Sequence, residues 1–194
     1  MPANLYLLRH AQGWHNDPGP DYVGDSYNDP QFRDAVLTPV GLEQTAAKRL
    51  ELATTVFDAI YCSPMRRCRQ TLLGVYPKAV DMNVHLDDRL IEQPTGKNIA
   101  DYRLERDFII NTCPKKWDGT GVAVINPFHN ISDSLDQQKI RNMTQHILKK
   151  HVTGNVLIVT HGAWIGRWLQ MYQGYTYYID NCHYVIATLE PNDL

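Results

Sequence analysis

The sequence predicts an α/β fold: a three-layer sandwich with a mostly parallel central sheet, helices on both faces and a lid insert. Three observations carry this expectation. Short apolar, β-branched runs alternate with longer stretches of helical period, as in parallel sheets covered on both faces. Two predicted helices open on a Thr-Pro or Ser-Pro pair soon after a strand or loop. Polar residues suited to chemistry stand directly after three of the strands, where open sheets of this kind hold ligands. The 194 residues suffice for one core, so a single domain over 1–194 is expected, with residues 93–130 as the insert.

Taken in order, Asn4 to Leu8 is a buried strand running into Arg9-His10. Asp17 to Tyr27 holds two prolines, two glycines and several aspartates and reads as a loop. Thr38 caps a helix with Pro39 in its first turn and Glu43 favouring the dipole. That helix runs to about Thr54, and its pattern predicts Leu42, Ala46, Leu50 and Ala53 on the inward face. Phe57 to Cys62 is the second strand. Ser63-Pro64 again reads as a cap followed by a helix, with Met65, Cys68, Leu72 and Val75 turned inward. Val80 to Leu86 alternates like a third strand. Residues 93–130 show a helical period only around Ile99 to Ile110, which predicts a lid with one short helix. Ser132 opens a long amphipathic helix to about Lys150. Val156 to Thr160 is the clearest strand in the chain, followed by a helix from Ala163 to Tyr172 and a hairpin-like or extended end from Tyr177 to Leu189.

A composition of 43% hydrophobic and 21% charged residues is that of a globular protein. The net charge of −2 argues against a general nucleic-acid or polybasic membrane surface, so any attraction for anions is local. The four cysteines, Cys62, Cys68, Cys113 and Cys182, follow no paired spacing and complete no zinc set, which predicts reduced structural thiols. Leu5 to Leu8 is too short for a signal peptide, and no stretch approaches the ~20 apolar residues of a membrane helix. A cytoplasmic protein is the expectation.

The chemistry-bearing residues gather at predicted strand ends. His10 is preceded by Arg9 and followed by Gln12 and Asn16; Arg67 lies in the first turn of the helix after the second strand; His161 follows the run Val156 to Thr160, beside Gly162. Arginine offers a forked donor to phosphate, asparagine a neutral one, and a helix N-terminus favours anions. Two histidines and two arginines at one sheet edge make a phosphoryl pocket.

Five segments in order resemble the motifs of the histidine phosphatase superfamily, which has the phosphoglycerate-mutase-like fold. They are Leu8-Arg9-His10-Ala11 through Asn16; Leu37-Thr38-Pro39-Val40-Gly41 through Gln44; Ser63 through Thr71 with Arg67; Leu90-Ile91-Glu92; and Val159-Thr160-His161-Gly162. Ala11 stands where the family has glycine, Cys68 where it has alanine, and His183 where Asn-x-Ser would end. The resemblance implies His10 as the covalent nucleophile and Glu92 as general acid. It places Arg9, Arg67 and His161 around the phosphoryl oxygens, with a hydrogen bond from Asn16. It implies no metal and no cofactor. His10 must be neutral on its attacking nitrogen, with the other proton held by an acceptor such as a backbone carbonyl.

Other residues are read more plainly. Asp34 and Asp58 are expected at the surface or as caps, Arg66 and Arg69 solvated or salt-bridged, and His183 in solvent or core. Trp14, Tyr22 and Tyr27 fit either the pocket mouth or ordinary packing. Lys97 or Arg103, in the insert, could grip a second acidic group of the substrate. Three functional readings stand: a phosphatase on a small phosphorylated molecule, a phosphoglycerate-mutase-type transferase, and an inactive scaffold. Glu92-Gln93-Pro94-Thr95-Gly96-Lys97 lacks the mutase-type Glu-Arg-x-Tyr-Gly pattern, and all five motif side chains are retained, which favours the first. The substrate's identity and the oligomeric state are left open.

Overall fold

The computed structural model describes residues 2–93, 97–124 and 133–189. Six strands form one sheet: β1 (Ala3–Arg9), β2 (Ala59–Cys62), β3 (Val84–Asp87), β4 (Asp118–Gly121), β5 (Asn155–Thr160) and β6 (Tyr184–Leu189). Their order across the sheet is β4-β3-β2-β5-β1-β6. All neighbours are parallel except β6, which returns antiparallel to β1.

Alternation along the strands separates two cores. Leu8, Ile60, Cys62, Leu157 and Val159 face one layer, in which α1 (Pro39–Leu52) and α2 (Arg66–Val75) pack. Leu5, Leu7, Tyr61, Val156 and Ile158 face the other, covered by α4 (Asp133–Lys150) and α5 (Gly162–Gln173), whose Trp164 and Trp168 are fully buried. The predicted three layers are present. Among the described residues no helix is long and apolar enough to cross a membrane. All four cysteines are free, three of them buried.

Several local expectations need correction. In α1 the buried residues are Gly41, Thr45, Lys48 and Leu52, whereas Leu42 and Leu50 are exposed. The helix lies so close to its neighbours that a side chain on Gly41 would run into the Gln12 backbone and one on Gly74 of α2 into Thr45. Close approach selects small residues for the inner face, and the leucines point out. Thr38 does cap α1, accepting from the Gly41 N–H at 3.0 Å. Ser63 does not cap α2: Met65 is the N-cap, and α2 starts two residues later than the Ser-Pro pair suggests. The inward set Met65, Cys68, Leu72 and Val75 is as expected. The stretch from Val80 begins as a 3-10 turn, Pro77–Asp81, and only Val84–Asp87 extends.

The insert is more ordered than a lid with one helix. A 3-10 turn (Ile99–Asp101), helix α3 (Arg106–Thr112) and strand β4 follow one another, and β4 joins the sheet edge. β4 is Asp-Gly-Thr-Gly and lacks the apolar alternation that marks strands, so its place is set by β3. Arg103 is not available to a substrate: it is 2% exposed and paired through both Nε and Nη2 with the Asp88 carboxylate, at 2.7 and 3.1 Å. Lys97 is exposed. Arg69 is buried instead of solvated, donating to Pro64 O, Thr112 Oγ1 and Cys113 Sγ. Asp34 is buried rather than on the surface, and it does cap, accepting from the first N–H of α2 (Arg66) at 2.7 Å. Asp58 is exposed and accepts from Asn155 N. The predicted helix start at Ser132 and the loop at 125–130 lie outside the described residues.

Candidate active site

Strand register brings the site together. β5 lies between β1 and β2, with Arg9 level with Thr160 and Cys62 level with Val159. One step further, His10 stands level with His161 and Ser63 one residue behind them, level with Thr160, all at the carboxyl ends of adjacent strands. Neighbouring strands are about 4.8 Å apart, and the His10 and His161 ring centroids are 5.1 Å apart. The His10 backbone is held on both sides, its N–H donating to Thr160 O and its carbonyl accepting from Cys182 N and Asn181 Nδ2.

The ring of His10 shares its Nδ1 proton with Ala11 O at 2.8 Å. With Nδ1 donating, the lone pair of the neutral ring lies on Nε2. Ala11 itself sits away from the left-handed region, so the residue that replaces glycine there is unstrained. Burial and then the Arg67 charge, followed by those of His15 and Arg9, hold His10 well below the usual histidine range. His161 is lowered in the same way, by burial and then Arg67. Its Nε2 meets Ser63 Oγ at 3.0 Å and its Nδ1 meets Arg67 Nη2 at 3.2 Å.

Both arginines are anchored by their tips. Arg67, fully buried, donates Nη1 to Ala100 O and Nη2 to Asp101 Oδ1 at 3.0 Å. Arg9 donates Nη1 to Ile179 O at 2.7 Å and to Tyr178 Oη at 3.0 Å. The Nε atoms of Arg9 and Arg67 are buried and have no hydrogen-bond partner. A Cβ on Gly162 would come within 3.1 Å of Arg9 Nε, so glycine keeps this position open.

Glu92 completes the cluster. One of its oxygens and one ring nitrogen from each of His10 and His161 all lie within 4.8 Å of one another. Its carboxylate accepts from Gln93 N at 2.8 Å and from Trp164 N, in the first turn of α5, at 3.3 Å. Burial, and after it the negative charge of Asp101, push Glu92 up to about 7. A divalent cation would meet the Arg67 guanidinium, which already depresses both imidazoles, and that of Arg9, which depresses His10. A tetrahedral dianion meets unpartnered donors.

Sequence reasoning missed His15. It is 2% exposed, 5.6 Å from His10 between ring centroids, with Nδ1 unpartnered, and burial and Arg67 bring it down to about 2. A histidine five places after His10 in a loop gives no periodic signal. Asn16 accepts from Gly13 N and donates to Tyr27 Oη, bracing the loop that carries His15. His183 is exposed, as solvent placement required. Tyr22 bonds Asp29 and packs on Phe32, and Trp14 lines a separate small cleft, whereas Tyr27 borders a cavity of about 490 Å³ above the site. Arg9 and Glu92 also border that cavity, while His10, Arg67 and His161 lie beneath it at 1%, 0% and 0% exposure.

A parallel sheet with two histidines and two arginines at its carboxyl edge defines a phosphoryl-handling α/β protein. The model of the histidine phosphatase superfamily (branch 1) matches residues 5–193, and the chain belongs to that family and is a phosphatase. A Hydrogenobacter thermophilus protein named as a candidate phosphoserine phosphatase is 27% identical over 164 residues, 82% of this chain and 73% of its own length. A phosphoglycerate mutase-like protein of Arabidopsis thaliana is 32% identical over 83 residues, 41% of this chain and 30% of its own. Among solved structures, phosphoserine phosphatase from Entamoeba histolytica superposes with a TM-score of 0.63 at 22% identity, covering 95% of this chain and 89% of that one. At that identity the likeness speaks for the fold.

Proposed function

We propose that this chain hydrolyses a small phosphomonoester without a metal, through a phosphohistidine on His10. One observation carries the reading: two buried guanidiniums, each tied by its tip, leave an Nε–H without a partner beside two neutral imidazoles. Such donors are costly unless an anion takes them. Arg9 Nε and Arg67 Nε receive phosphoryl oxygens, His161 joins them by turning its Nε2–H from Ser63 Oγ to the anion, and His10 Nε2 attacks phosphorus in line. Ala11 O holds the ring's other proton throughout.

Glu92, pushed up to about 7, is poised to protonate the departing alkoxide and then, ionised, to take a proton from the water that cleaves phosphohistidine. Ser63 orients His161, Asp101 and Tyr178 orient the two arginines, and Asn16 acts through the loop. The chain works as one domain over 1–194. In this reading the 93–130 insert supplies Gln93 and Asp101 to the site's surroundings and no second anion grip, because Arg103 is spent on Asp88.

The test is turnover of p-nitrophenyl phosphate and a panel of metabolite phosphates in EDTA, with alkali-quenched labelling of the protein. The expected result is phosphate release and an acid-labile, base-stable phosphoprotein, both lost in His10→Ala. Turnover retained in His10→Ala, or abolished by EDTA, refutes the mechanism. Isomerisation of phosphoglycerate without net release would replace hydrolysis by the mutase reading.

A further inference from the structure

The cavity above the site is larger than the smallest phosphomonoesters need. At about 490 Å³ it falls in the range of sites for ligands with rings, roughly 300–1,000 Å³. One face of α5 forms its floor. Gly162, Ala163 and Gly166 come first, then Arg167 and Gln170. The glycine and alanine positions leave the floor flat, beginning at Gly162 against Arg9. From Gly162 to Gln170 is eight residues, about 12 Å at 1.5 Å per residue. A three-carbon phosphoester spans about half of that, with bonds of ~1.5 Å.

The walls fit a ring. α5 ends at Gly174 in the left-handed conformation, and the following segment brings Tyr177 and Tyr178 to the cavity, with Tyr27 also at its border. These tyrosines are 53%, 74% and 38% exposed. Large, rigid aromatic faces bordering a cavity gain most from stacking on another flat apolar surface. At the far end stands Arg167, half-buried, whose guanidinium carries five N–H groups and can meet a carboxylate beside the interaction it already makes.

We propose that the cavity receives the alcohol half of a phosphomonoester bearing a flat ring, with a carboxylate or comparable acceptor at its distal end facing Arg167. Tyr177 and Arg167 then determine specificity without taking part in the chemistry. This inference rests on the phosphatase reading above and goes beyond it in naming the class of substrate. It sets this chain apart from a three-carbon phosphate specialist.

The experiment compares three primary alkyl phosphates of similar intrinsic reactivity: phosphoserine, 2-naphthylmethyl phosphate and its 6-carboxy derivative. The naphthylmethyl ester should exceed phosphoserine in kcat/KM roughly tenfold, mainly through KM, and the carboxylate should add about five- to tenfold. Arg167→Gln should remove the carboxylate's advantage and leave the other two substrates unchanged. Tyr177→Ala should raise KM for both ring esters and spare phosphoserine. Equal or better turnover of phosphoserine overturns the proposal, as does an equal effect of Arg167→Gln on all three. Failure to turn over any of the three, or p-nitrophenyl phosphate, removes the phosphatase reading itself and this inference with it.

Discussion

Replacing Glu92 by glutamine should make the protein more stable and less active, and both effects should depend on pH. The side chain keeps its shape and its oxygen can still accept from Gln93 N and Trp164 N. What is lost is the ability to ionise. Glu92 is pushed from its ordinary 4.5 up to about 7 in the fold. That gap, about 2.5 pH units at ~1.4 kcal/mol each, corresponds to about 3 kcal/mol. The sign follows from proton counting. Between 4.5 and 7 the folded state holds a proton that the unfolded state releases, so wild-type stability from this group is complete below 4.5 and lost as pH rises through 7. Glu92→Gln does not lose it. Denaturant titrations should therefore coincide near pH 4.5, diverge in favour of the variant, and differ by about 3 kcal/mol at pH 8. Turnover of an alkyl phosphate should drop by about 10²- to 10⁴-fold. Formation of the phosphoenzyme from p-nitrophenyl phosphate, whose leaving group needs no proton, should fall far less. In the wild type, the phosphorylation step on alkyl esters should decline above about pH 7, and the variant should lack that limb. An equally stable or less stable variant at pH 8 refutes the environment assigned to Glu92, and an equal loss on both substrates refutes its role as acid.

Two further outcomes follow from the packing. Arg103→Met strands the Asp88 carboxylate in a buried position, and calorimetry or denaturant melts should show a loss of about 3–5 kcal/mol, while KM at temperatures where the variant is folded stays unchanged. A raised KM without a stability loss would return Arg103 to the substrate. Gly41→Ala places a methyl group against the Gln12 backbone, in the loop following His10, and should cost about 1–3 kcal/mol with a disproportionate fall in kcat. A variant with wild-type activity would show that the Gln12 loop is not held by α1.

The residues at strand ends were legible because two apolar runs stopped at Arg9-His10 and at His161, and a third at Ser63-Pro64 with Arg67 in the helix that follows, and parallel topology then forces those ends to one edge. The helix after Leu37 was legible in extent and illegible in orientation. Leucines usually mark the inner face, but here close approach of α1 to Gln12 and to α2 demanded Gly41 and Thr45 there. The Gln12 loop explains what the second motif is for: Gln44 accepts from Gln12 N, and Thr38 donates to Gln12 Oε1 at 2.7 Å. β4 was hidden because an edge strand of Asp, Gly and Thr takes its conformation from its neighbour. Arg103 and Arg69 were misread because burial of an arginine depends on a partner distant in sequence, Asp88 for one and backbone and side-chain acceptors for the other. His15 was missed for the same reason.

The antiparallel strand β6 carries a consequence in time. Its preceding turn supplies three hydrogen bonds to the Arg9-His10 backbone, from Cys182 N, from Asn181 Nδ2 and to His183 O. Chains emerge from the ribosome N-terminus first and domains fold as units, so His10 is made some 170 residues before the turn at Asn181 and Cys182 that fastens it. A nascent chain can assemble most of its sheet while the His10 backbone is still unsecured on that side. Under the proposed mechanism, activity would then arrive abruptly, once the 181–183 turn is in place, rather than grow with length.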